Sequence, residues 1–476
     1  MNKRLLFILS LFIMQLGCSS KTVDHNKLLG FWEKQINNES GSQRFVLYFT
    51  EIKDGLVCRF HSYFNGLKFT PITGTNIYFD GKSLSFTANP AADVRYEGKV
   101  DTLNGTITGK LKYSDGSQMD FNFKKISDKE LSEKYPGLFN LTKDQNLIEQ
   151  PKEIDDGWSV GELSGAGINQ NLLQNMVDSI NHGNFGNVHS VLIAKNGKLV
   201  FEKYFDGFCL KDLNSLQSCT KSIGSLLTGL AIDKGFIKSV NEKVLDFFPA
   251  YKNKADKEWK NVELKHLLTM STGIDWKNDI HNEIYQISND VVETTFKQKF
   301  SHKPGQIFEY RSPQIDLLSA VIIKSAGMSV QDFAKKYLFD PLNIKSFNWR
   351  NFKKNNYPLM SGSLALSSRS MLKIGQLVLN GGKCKGKQIV SKKWIDESTT
   401  FKIKSDQTFD YGYLWWIGES QNKPRLKAIF AMGIGGRYII IVPKEKLVVV
   451  TTADNSDIRS ESLLKMVDDY IIKAIE

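Results

Sequence analysis

Residues Gln217 to Gly235, with the sequence QSCTKSIGSLLTGLAIDKG, decide how this chain folds. Apolar residues recur at helical spacing from Ile223 to Ala231, and the faces between them carry only serine, threonine and glycine. A helix without a charged face is normally buried on all sides, and Gly235 is a residue at which such a helix can end. The stretch therefore predicts a core helix with Ser218 at its first turn.

Lys221 follows Ser218 by one helical turn and lies on the same side of that helix. Removal of a lysine from water disfavours its ammonium form, so a lysine at the edge of a core helix can act as a base. The helix N-terminus favours negative charge that develops beside it. We expect Ser218 to be a nucleophile activated by Lys221, whereas Cys219 is expected to fill the helix packing.

The pattern Ser-x-x-Lys is common by itself. It occurs four times in this chain, at Ser218, Ser370, Ser420 and Ser462. Lys373 and Lys465 are typical of solvated lysines on amphipathic helices, and Ser420 lies in a turn-like loop. Only the first occurrence begins a helix that favours burial on every face.

The N-terminus has the pattern of an export signal. A basic start is followed by an apolar stretch from Leu5 to Leu16 and by Gly17-Cys18, which predicts a signal peptide of the lipoprotein type over 1–17. Cys18 would be the lipidated first residue of a tether at 18–27. We expect an exported protein of the bacterial cell envelope that contacts the membrane only through this lipid anchor.

Length and composition limit the protein class. With 476 residues, at least two domains are expected, and 41% hydrophobic with 24% charged residues is ordinary for a globular protein. The net charge of +12 comes from scattered lysines without a basic run, so we expect a solvated surface and no nucleic-acid partner. The remaining four cysteines form no disulfide framework and no metal spacing, and we expect neither cofactor nor metal.

Residues 28–126 alternate in short apolar stretches separated by Gly and Asp turns. This pattern predicts a small all-β barrel or sandwich, and Gly30-Phe31-Trp32 is similar to the opening of lipocalin-like barrels. No catalytic pattern occurs there, and its role as a binding, spacer or substrate-shaping module stays open. Residues 127–156, with Pro136 and Pro151, are expected to be a linker.

The remaining residues, 157–476, mix strands and helices. A helix is predicted at 169–180, and a β-hairpin at 189–194 and 198–204 joined by Asn196-Gly197. Short helical pieces are predicted at 244–248 and 264–270. Further on, Tyr310 lies in a loop before the apolar run 317–323. Close to Lys221, Tyr310 could relay protons, although a half-buried structural tyrosine would have the same pattern.

A glycine-rich stretch at 429–443 is followed by a second apolar stretch at 447–451. We expect a hairpin at a sheet edge, kept open for a ligand by Gly433, Gly435 and Gly436. Free backbone N–H groups beside a serine would form an oxyanion hole, although glycines in a strand also mark bulges.

Three motifs in this order resemble the serine β-lactamase and penicillin-binding-protein superfamily: Ser218-Cys-Thr-Lys221, Tyr310-Arg-Ser312, and the glycine-rich strand. The resemblance is closest to the class C-related branch of esterases, D-amino-acid peptidases and aminohexanoate-dimer hydrolases. Further stretches at 266–273, 375–382 and 411–416 look like that branch. The resemblance covers nearly all of 157–476 and implies an α+β fold, with an antiparallel sheet flanked by helices.

The resemblance also implies roles for individual residues. Ser218 would be the acylated nucleophile, Lys221 its activating partner, and Tyr310 the group that exchanges protons with the leaving group and water. Backbone N–H groups of Ser218 and Ile434 would form the oxyanion hole. The substrate would contact Ser312 and the three glycines, Gly433, Gly435 and Gly436. Whether Lys221 or Tyr310 takes the proton of Ser218 stays open.

Two departures from the family pattern bear on the substrate. The second motif ends in Ser312, where many relatives have Asn, and this form is similar to the aminohexanoate-dimer hydrolases. The third motif, Ala431-Met432-Gly433, lacks the Lys or His that opens it in β-lactamases. The missing cation disfavours a substrate carboxylate at this point, as β-lactams and D-Ala-D-Ala peptides would present. We therefore expect a small-molecule or peptide-like ester or amide substrate.

Other classes of protein remain as alternatives. The chain has no Gly-x-Ser-x-Gly elbow and no His-Glu-x-x-His zinc helix, and no histidine occupies a motif position. A surface lipoprotein that uses the fold as a non-catalytic binding platform is one alternative. A cell-wall D,D-peptidase is the other. The interpretation we adopt is a serine hydrolase that uses Ser218, Lys221 and Tyr310.

Overall fold

The computed structural model describes residues 24–38, 41–52, 55–64, 67–276, 290–351, 357–405, 407–424, 426–455 and 459–475. The expected signal peptide and Cys18 lie outside the described residues. The chain divides into two compact units. The first runs to Gln35 and includes Phe45–His61 and Ile72–Ile126, and the second contains Ile36–Arg44, Ser62–Pro71 and Ser127–Glu476.

The N-terminal strands form a closed barrel. They are β1 Gly30–Asn38, β2 Gly41–Ile52, β3 Gly55–Phe64, β4 Leu67–Lys68, β5 Ile72–Phe79, β6 Ser83–Asn89, β7 Val94–Asp101, β8 Thr106–Lys112, β9 Gln118–Asp120 and β10 Phe123–Lys125. Eight of them follow the order β10-β1-β2-β3-β5-β6-β7-β8, and β10 closes the ring because it pairs with both β1 and β8. Of the two expected architectures, the barrel is the one formed.

Aromatic side chains fill the barrel. The ring of Phe121 contacts the rings of Phe45 at 5.0 Å and Phe123 at 5.3 Å between centroids. The Phe123 ring in turn contacts those of Phe60 and Tyr96, and Tyr96 is fully buried with its hydroxyl donating to the Phe121 carbonyl. An eight-stranded barrel is just wide enough for side chains to fill, so its interior is a packed core.

The segment predicted as a linker contains two short helices, Asp128–Lys134 and Pro136–Asn140. Ser127 caps the first through a capping box with Glu130, in which each side chain bonds to the backbone of the other residue. The Ser-x-x-Glu spacing of Ser127 and Glu130 indicates the start of this helix in the sequence.

A seven-stranded antiparallel sheet forms the centre of the second unit. Its order is β12-β11-β22-β21-β20-β19-β18. The strands of this unit are β11 Val188–Lys195, β12 Lys198–Tyr204, β13 Asn214–Ser215, β14 Phe347–Trp349, β15 Leu364–Leu366, β16 Lys383–Cys384, β17 Lys387–Gln388, β18 Asp410–Tyr411, β19 Trp416–Glu419, β20 Lys427–Gly433, β21 Arg437–Val442 and β22 Leu447–Ala453. The predicted Asn196-Gly197 turn joins β11 to β12, with φ of 52° and 78° as its type requires.

Helices cover both faces of this sheet. Among the described residues, the remaining α-helices are Gln170–Asn181, Cys219–Asp233, Leu264–Leu268, Val291–Phe296, Ser312–Ala326, Val330–Ala334, Ser368–Leu379, Lys392–Ser398 and Arg459–Met466, with π-helical turns at Lys335–Phe339 and Val467–Ile472 and a 3₁₀ turn at Val244–Phe247. Ile439 meets the helix Ser368–Leu379, whereas its neighbour Ile440 lines a cavity on the opposite face together with Val467 of the C-terminal π-helical turn. The predicted α+β fold is confirmed. Within the described ranges, no helix has the length and apolar character needed to cross a membrane.

The predicted core helix is Cys219–Asp233, and every residue from Cys219 to Ala231 is buried. It packs against the helix Ser312–Ala326, which follows the Tyr310 loop, and against β20 and β21. Three segments that are distant in sequence therefore meet at the N-terminal end of one buried helix.

Candidate active site

Ser218 occupies the N-cap of the core helix. Gln217 before it has a left-handed backbone with φ of 49°, and Ser218 itself is already helical. The turn is closed by bonds from the Cys219 and Thr220 backbone N–H groups to the carbonyls of Leu216 and Gln217. The half-buried hydroxyl of Ser218 thus lies where the helix dipole favours negative charge.

Lys221 is buried and bonded to Ser218. Only 1% of its surface is exposed, and its Nζ donates to Ser218 Oγ at 2.9 Å and to the Ser361 carbonyl at 2.8 Å. A buried polar group costs free energy unless it has hydrogen-bond partners. These two bonds fix the amine against the hydroxyl that it was predicted to activate.

Behind Lys221 lies a buried carboxylate that the sequence reading missed. Asp316, fully buried in the helix Ser312–Ala326, accepts hydrogen bonds from the backbone N–H of Ser361 at 2.7 Å and from its hydroxyl at 3.0 Å. In the sequence, Asp316 is the single charged residue in the apolar run Ile315 to Ile323. Because an acidic residue is rarely buried without partners, this charge could have indicated a buried contact.

Tyr310 lies beside the same lysine. Lys221 Nζ is 4.9 Å from the centroid of the Tyr310 ring, and this ring stacks on Trp416 with 5.7 Å between centroids and 23° between planes. The structure therefore brings together Ser218, Lys221 and Tyr310 from two segments 89 residues apart in the chain. Their catalytic roles stay predictions.

Cys219 has no place in this group. Burial raises the pKa of its thiol to about 12, so the thiol stays neutral and un-nucleophilic. Its Sγ donates to the Arg437 carbonyl at 3.0 Å. Cys219 fills the helix packing, as expected.

Strand β20 ends against the turn that carries Ser218. A Cβ atom at Gly433 would lie 2.3 Å from the Leu216 carbonyl oxygen and 3.3 Å from the Cys219 backbone nitrogen. Only a glycine lets the two backbones approach so closely. The predicted pairing of this stretch with 447–451 is formed, because β21 pairs with β22, but its placement at a sheet edge was wrong. β20 and β21 lie inside the sheet, and residues 434–436 form the turn between them. The strands β18 and β19, which pair beyond β20, account for the difference.

The two predicted oxyanion donors lie at this junction. In the described part of the chain, the backbone N–H groups of Ser218 and Ile434 donate to no other residue. The Ile434 side chain is 65% exposed, so the turn that carries its N–H is open to solvent. Such free donors beside a nucleophile can stabilise an oxyanion, and this assignment stays a prediction.

The remaining residues predicted to contact the substrate are Gly435, Gly436 and Ser312. Gly435 and Gly436 have φ of 87° and 90°, and added Cβ atoms would collide with Arg437 and Leu463 respectively. Both glycines therefore make room for side chains of the protein itself. Ser312 is the first residue of its helix, two positions after Tyr310. Substrate contact by any of the three stays a prediction.

The other Ser-x-x-Lys patterns lie outside this site. Lys465 is exposed and pairs with Asp469, as expected. For Lys373 the expectation of a solvated side chain was wrong, because its Nζ donates to the carbonyls of Asp156 at 2.5 Å and Asn343 at 2.9 Å. Among the described residues, no three His, Cys, Asp or Glu side chains are grouped to bind a metal.

This geometry defines a class of protein. A serine at the cap of a buried helix, a lysine one turn later, a tyrosine beside the lysine and a glycine turn from an antiparallel sheet lie together, which is the arrangement that the resemblance to serine β-lactamases and penicillin-binding proteins implies. The Beta-lactamase family model matches residues 186–461, which is more than half of the 476-residue chain. The chain belongs to the Beta-lactamase family.

Individual relatives agree with this assignment. The chain is 19% identical to a 6-aminohexanoate-dimer hydrolase of Paenarthrobacter ureafaciens over 284 residues, 54% of this chain and 70% of the relative. It is 29% identical to Protein flp of Staphylococcus aureus (strain MW2) over 188 residues, 35% of each chain. This match therefore spans about a third of Protein flp.

A solved structure shares the fold. The putative 6-aminohexanoate-dimer hydrolase from Bacillus anthracis superposes with a TM-score of 0.56 at 18% identity, covering 73% of this chain and 94% of that one. At this identity the likeness shows the fold, and the chemistry has to be argued from the site.

Proposed function

We propose that this chain is a serine hydrolase that cleaves an ester or amide by acylation of Ser218. One observation carries the proposal: the buried Lys221 amine bridges Ser218 Oγ at 2.9 Å and the Ser361 carbonyl at 2.8 Å, at the N-terminus of a helix. Burial of a lysine costs free energy. Activation of the adjacent hydroxyl is the function that this arrangement serves.

The proposed reaction has two halves. Ser218 Oγ attacks the acyl carbon, its proton passes to Lys221 or Tyr310, and the N–H groups of Ser218 and Ile434 stabilise the oxyanion. The leaving alcohol or amine departs with a proton from Tyr310. Water then attacks the acyl-enzyme ester and gives a proton to Tyr310. The acid is released as Ser218 Oγ regains a proton from whichever of Lys221 and Tyr310 had taken it.

The substrate is proposed to lack a carboxylate beside the scissile bond. Ala431, at the position where β-lactamases carry Lys or His, is fully buried and uncharged. Arg311, the residue after Tyr310, forms an ion pair with Glu309 at 3.5 Å. A relative named as a hydrolase of the 6-aminohexanoate dimer supports an amide or ester substrate. From its N-terminal sequence, we further propose that the enzyme is anchored at Cys18 in the bacterial cell envelope.

The test is the intact mass of the purified chain after treatment with a fluorophosphonate. Ser225→Ala is the matched control, because Ser225 lies buried in the same helix and its hydroxyl has no hydrogen-bond partner among the described residues. We expect one adduct on wild type and on Ser225→Ala, and none on Ser218→Ala. A binding platform would give no adduct on any of the three.

A second reagent separates the proposed hydrolase from a cell-wall D,D-peptidase. We expect wild type to hydrolyse a nitrophenyl ester and to form no stable adduct with benzylpenicillin. A long-lived penicilloyl adduct on Ser218 would instead establish the peptidase.

A further inference from the structure

Arg437 is a buried arginine whose guanidinium binds three acceptors from three parts of the second unit. Only 8% of its side chain is exposed. Nε donates to the Ser215 carbonyl at 3.1 Å, Nη1 to the Ile434 carbonyl at 3.0 Å, and Nη2 to Asp454 Oδ1 at 3.0 Å. Sequence reasoning did not single out this residue.

Two of these acceptors flank the predicted oxyanion donors. Ser215 precedes Ser218 by three residues, in the short strand that leads into the nucleophile turn. The Ile434 carbonyl belongs to the residue whose N–H is the second predicted donor. One planar guanidinium therefore connects the two segments that supply the two N–H groups.

The surrounding chain is shaped for this guanidinium. A Cβ atom at Gly435 would lie 1.9 Å from Arg437 Nη1, so the turn can hold the arginine only because residue 435 is glycine. On the other side, the Arg437 backbone carbonyl accepts from Cys219 Sγ, one residue after the nucleophile. The side chain of Arg437 thus bonds to Ser215 and Ile434, and its backbone carbonyl bonds to Cys219.

We infer that Arg437 is a positioning residue that sets the spacing between the Ser218 and Ile434 N–H groups, with Asp454 holding its guanidinium in place. This role rests on the proposed acylation of Ser218. Preorganised donors stabilise an oxyanion only if their positions are fixed before the reaction. Lysine cannot replace arginine here, because its single ammonium does not present a planar set of donors to three separated acceptors.

The test compares Arg437→Lys with Arg369→Lys. Arg369 is a matched control, because it is also buried, binds Glu202, Asp156 and the Lys152 carbonyl, and makes none of the contacts of the Ser218 turn. Wild type and both variants are titrated with the fluorophosphonate used above. The readouts are the fraction of protein that labels, the limiting rate constant of labelling, and the reagent concentration that gives half of that rate.

We expect Arg437→Lys to lower the limiting rate constant at least about tenfold, with the half-saturating concentration within about threefold of wild type. Arg369→Lys should keep the wild-type rate constant. A purely structural role of Arg437 would lower the fraction that labels and leave the rate constant of that fraction unchanged, and this result would overturn the inference.

Two further outcomes are distinguishable. Wild type that forms no adduct overturns the proposed function and this inference with it, whereas labelling of Arg437→Lys at the wild-type rate overturns this inference alone.

If Arg437→Lys does not fold, Asp454→Asn takes its place, since it removes the charge that holds the guanidinium. We expect that variant to label at least about threefold more slowly, and parity with wild type would overturn the inference.

Discussion

Asp316 accepts two hydrogen bonds from Ser361, one from its backbone N–H at 2.7 Å and one from its hydroxyl at 3.0 Å. The carbonyl of the same serine receives the Lys221 amine at 2.8 Å. A carboxylate in one helix therefore fixes the residue that holds the proposed activating lysine of another. Lys221 is thus held from two sides, by Ser218 and by a segment anchored on Asp316.

Asp316→Asn should weaken this support. The amide group of asparagine keeps one oxygen for the Ser361 N–H and places an NH2 beside the hydroxyl, which must then accept instead of donate. Both contacts lose the negative charge, and a charged hydrogen bond contributes about 1.5–3 kcal/mol. We expect the free energy of unfolding, measured with urea, to fall by about that amount, and labelling by the fluorophosphonate to slow. Ser361→Ala is the control, because it keeps the backbone bonds to both Asp316 and Lys221. An unfolding free energy equal to wild type in Asp316→Asn would contradict the assigned contact.

Lys221→Met should remove activation while keeping the packing. Methionine fills similar space without an ammonium, and loss of a proton-transfer group lowers rates by about 10²–10⁴-fold. We expect a decrease of this size in the rate of fluorophosphonate labelling. Lys465→Met is the matched control, since it alters the exposed lysine of another Ser-x-x-Lys pattern. Equal labelling of Lys221→Met and wild type would rule out the activating role.

Gly433→Ala should displace the turn at 434–436, which carries the predicted oxyanion donor Ile434. Its new methyl group would lie 2.3 Å from the Leu216 carbonyl oxygen, a backbone atom that cannot move away cheaply. We expect labelling to slow by about 10²–10³-fold, as for removal of one oxyanion donor. Gly165→Ala serves as control, because nothing lies within 4 Å of its Cβ position. If the two variants label at the same rate, strand β20 has no part in the reaction.

Stability should depend on pH through His189. Burial, followed by the positive charge of Arg437, lowers the pKa of His189 from 6.5 to about 3. Between these values the unfolded chain binds a proton that the folded chain does not. Stability is therefore fully present above pH 6.5 and declines as the pH falls, by at most about 1.4 kcal/mol per pH unit for this residue.

The measurement is urea unfolding at pH 7 and pH 5. His189→Gln should show a smaller loss of unfolding free energy between the two pH values than wild type. His182→Gln, which alters an exposed histidine, is the control variant. An equal pH dependence in His189→Gln and wild type would show that His189 does not contribute.

Sequence by itself determined the parts of this protein that depend on local spacing. The uncharged stretch from Ser222 to Ile232 required a buried helix, and the three-residue interval from Ser218 placed Lys221 beside the hydroxyl, because the helical repeat alone sets that distance. Alternation over 28–126 and the Asn196-Gly197 pair determined strands and a hairpin in the same way. These patterns act within a few residues and are therefore visible in the chain.

Only the tertiary structure decided how distant segments meet. Barrel closure requires β10 to pair with β1. The glycine turn joins two interior strands of the sheet, because β18 and β19 pair beyond β20. The burial of Lys373 by two carbonyls and the contacts of Asp316 and Arg437 join residues that are far apart in sequence. No local periodicity encodes strand order or such long-range hydrogen bonds, since they form only when the whole sheet and its helices have packed.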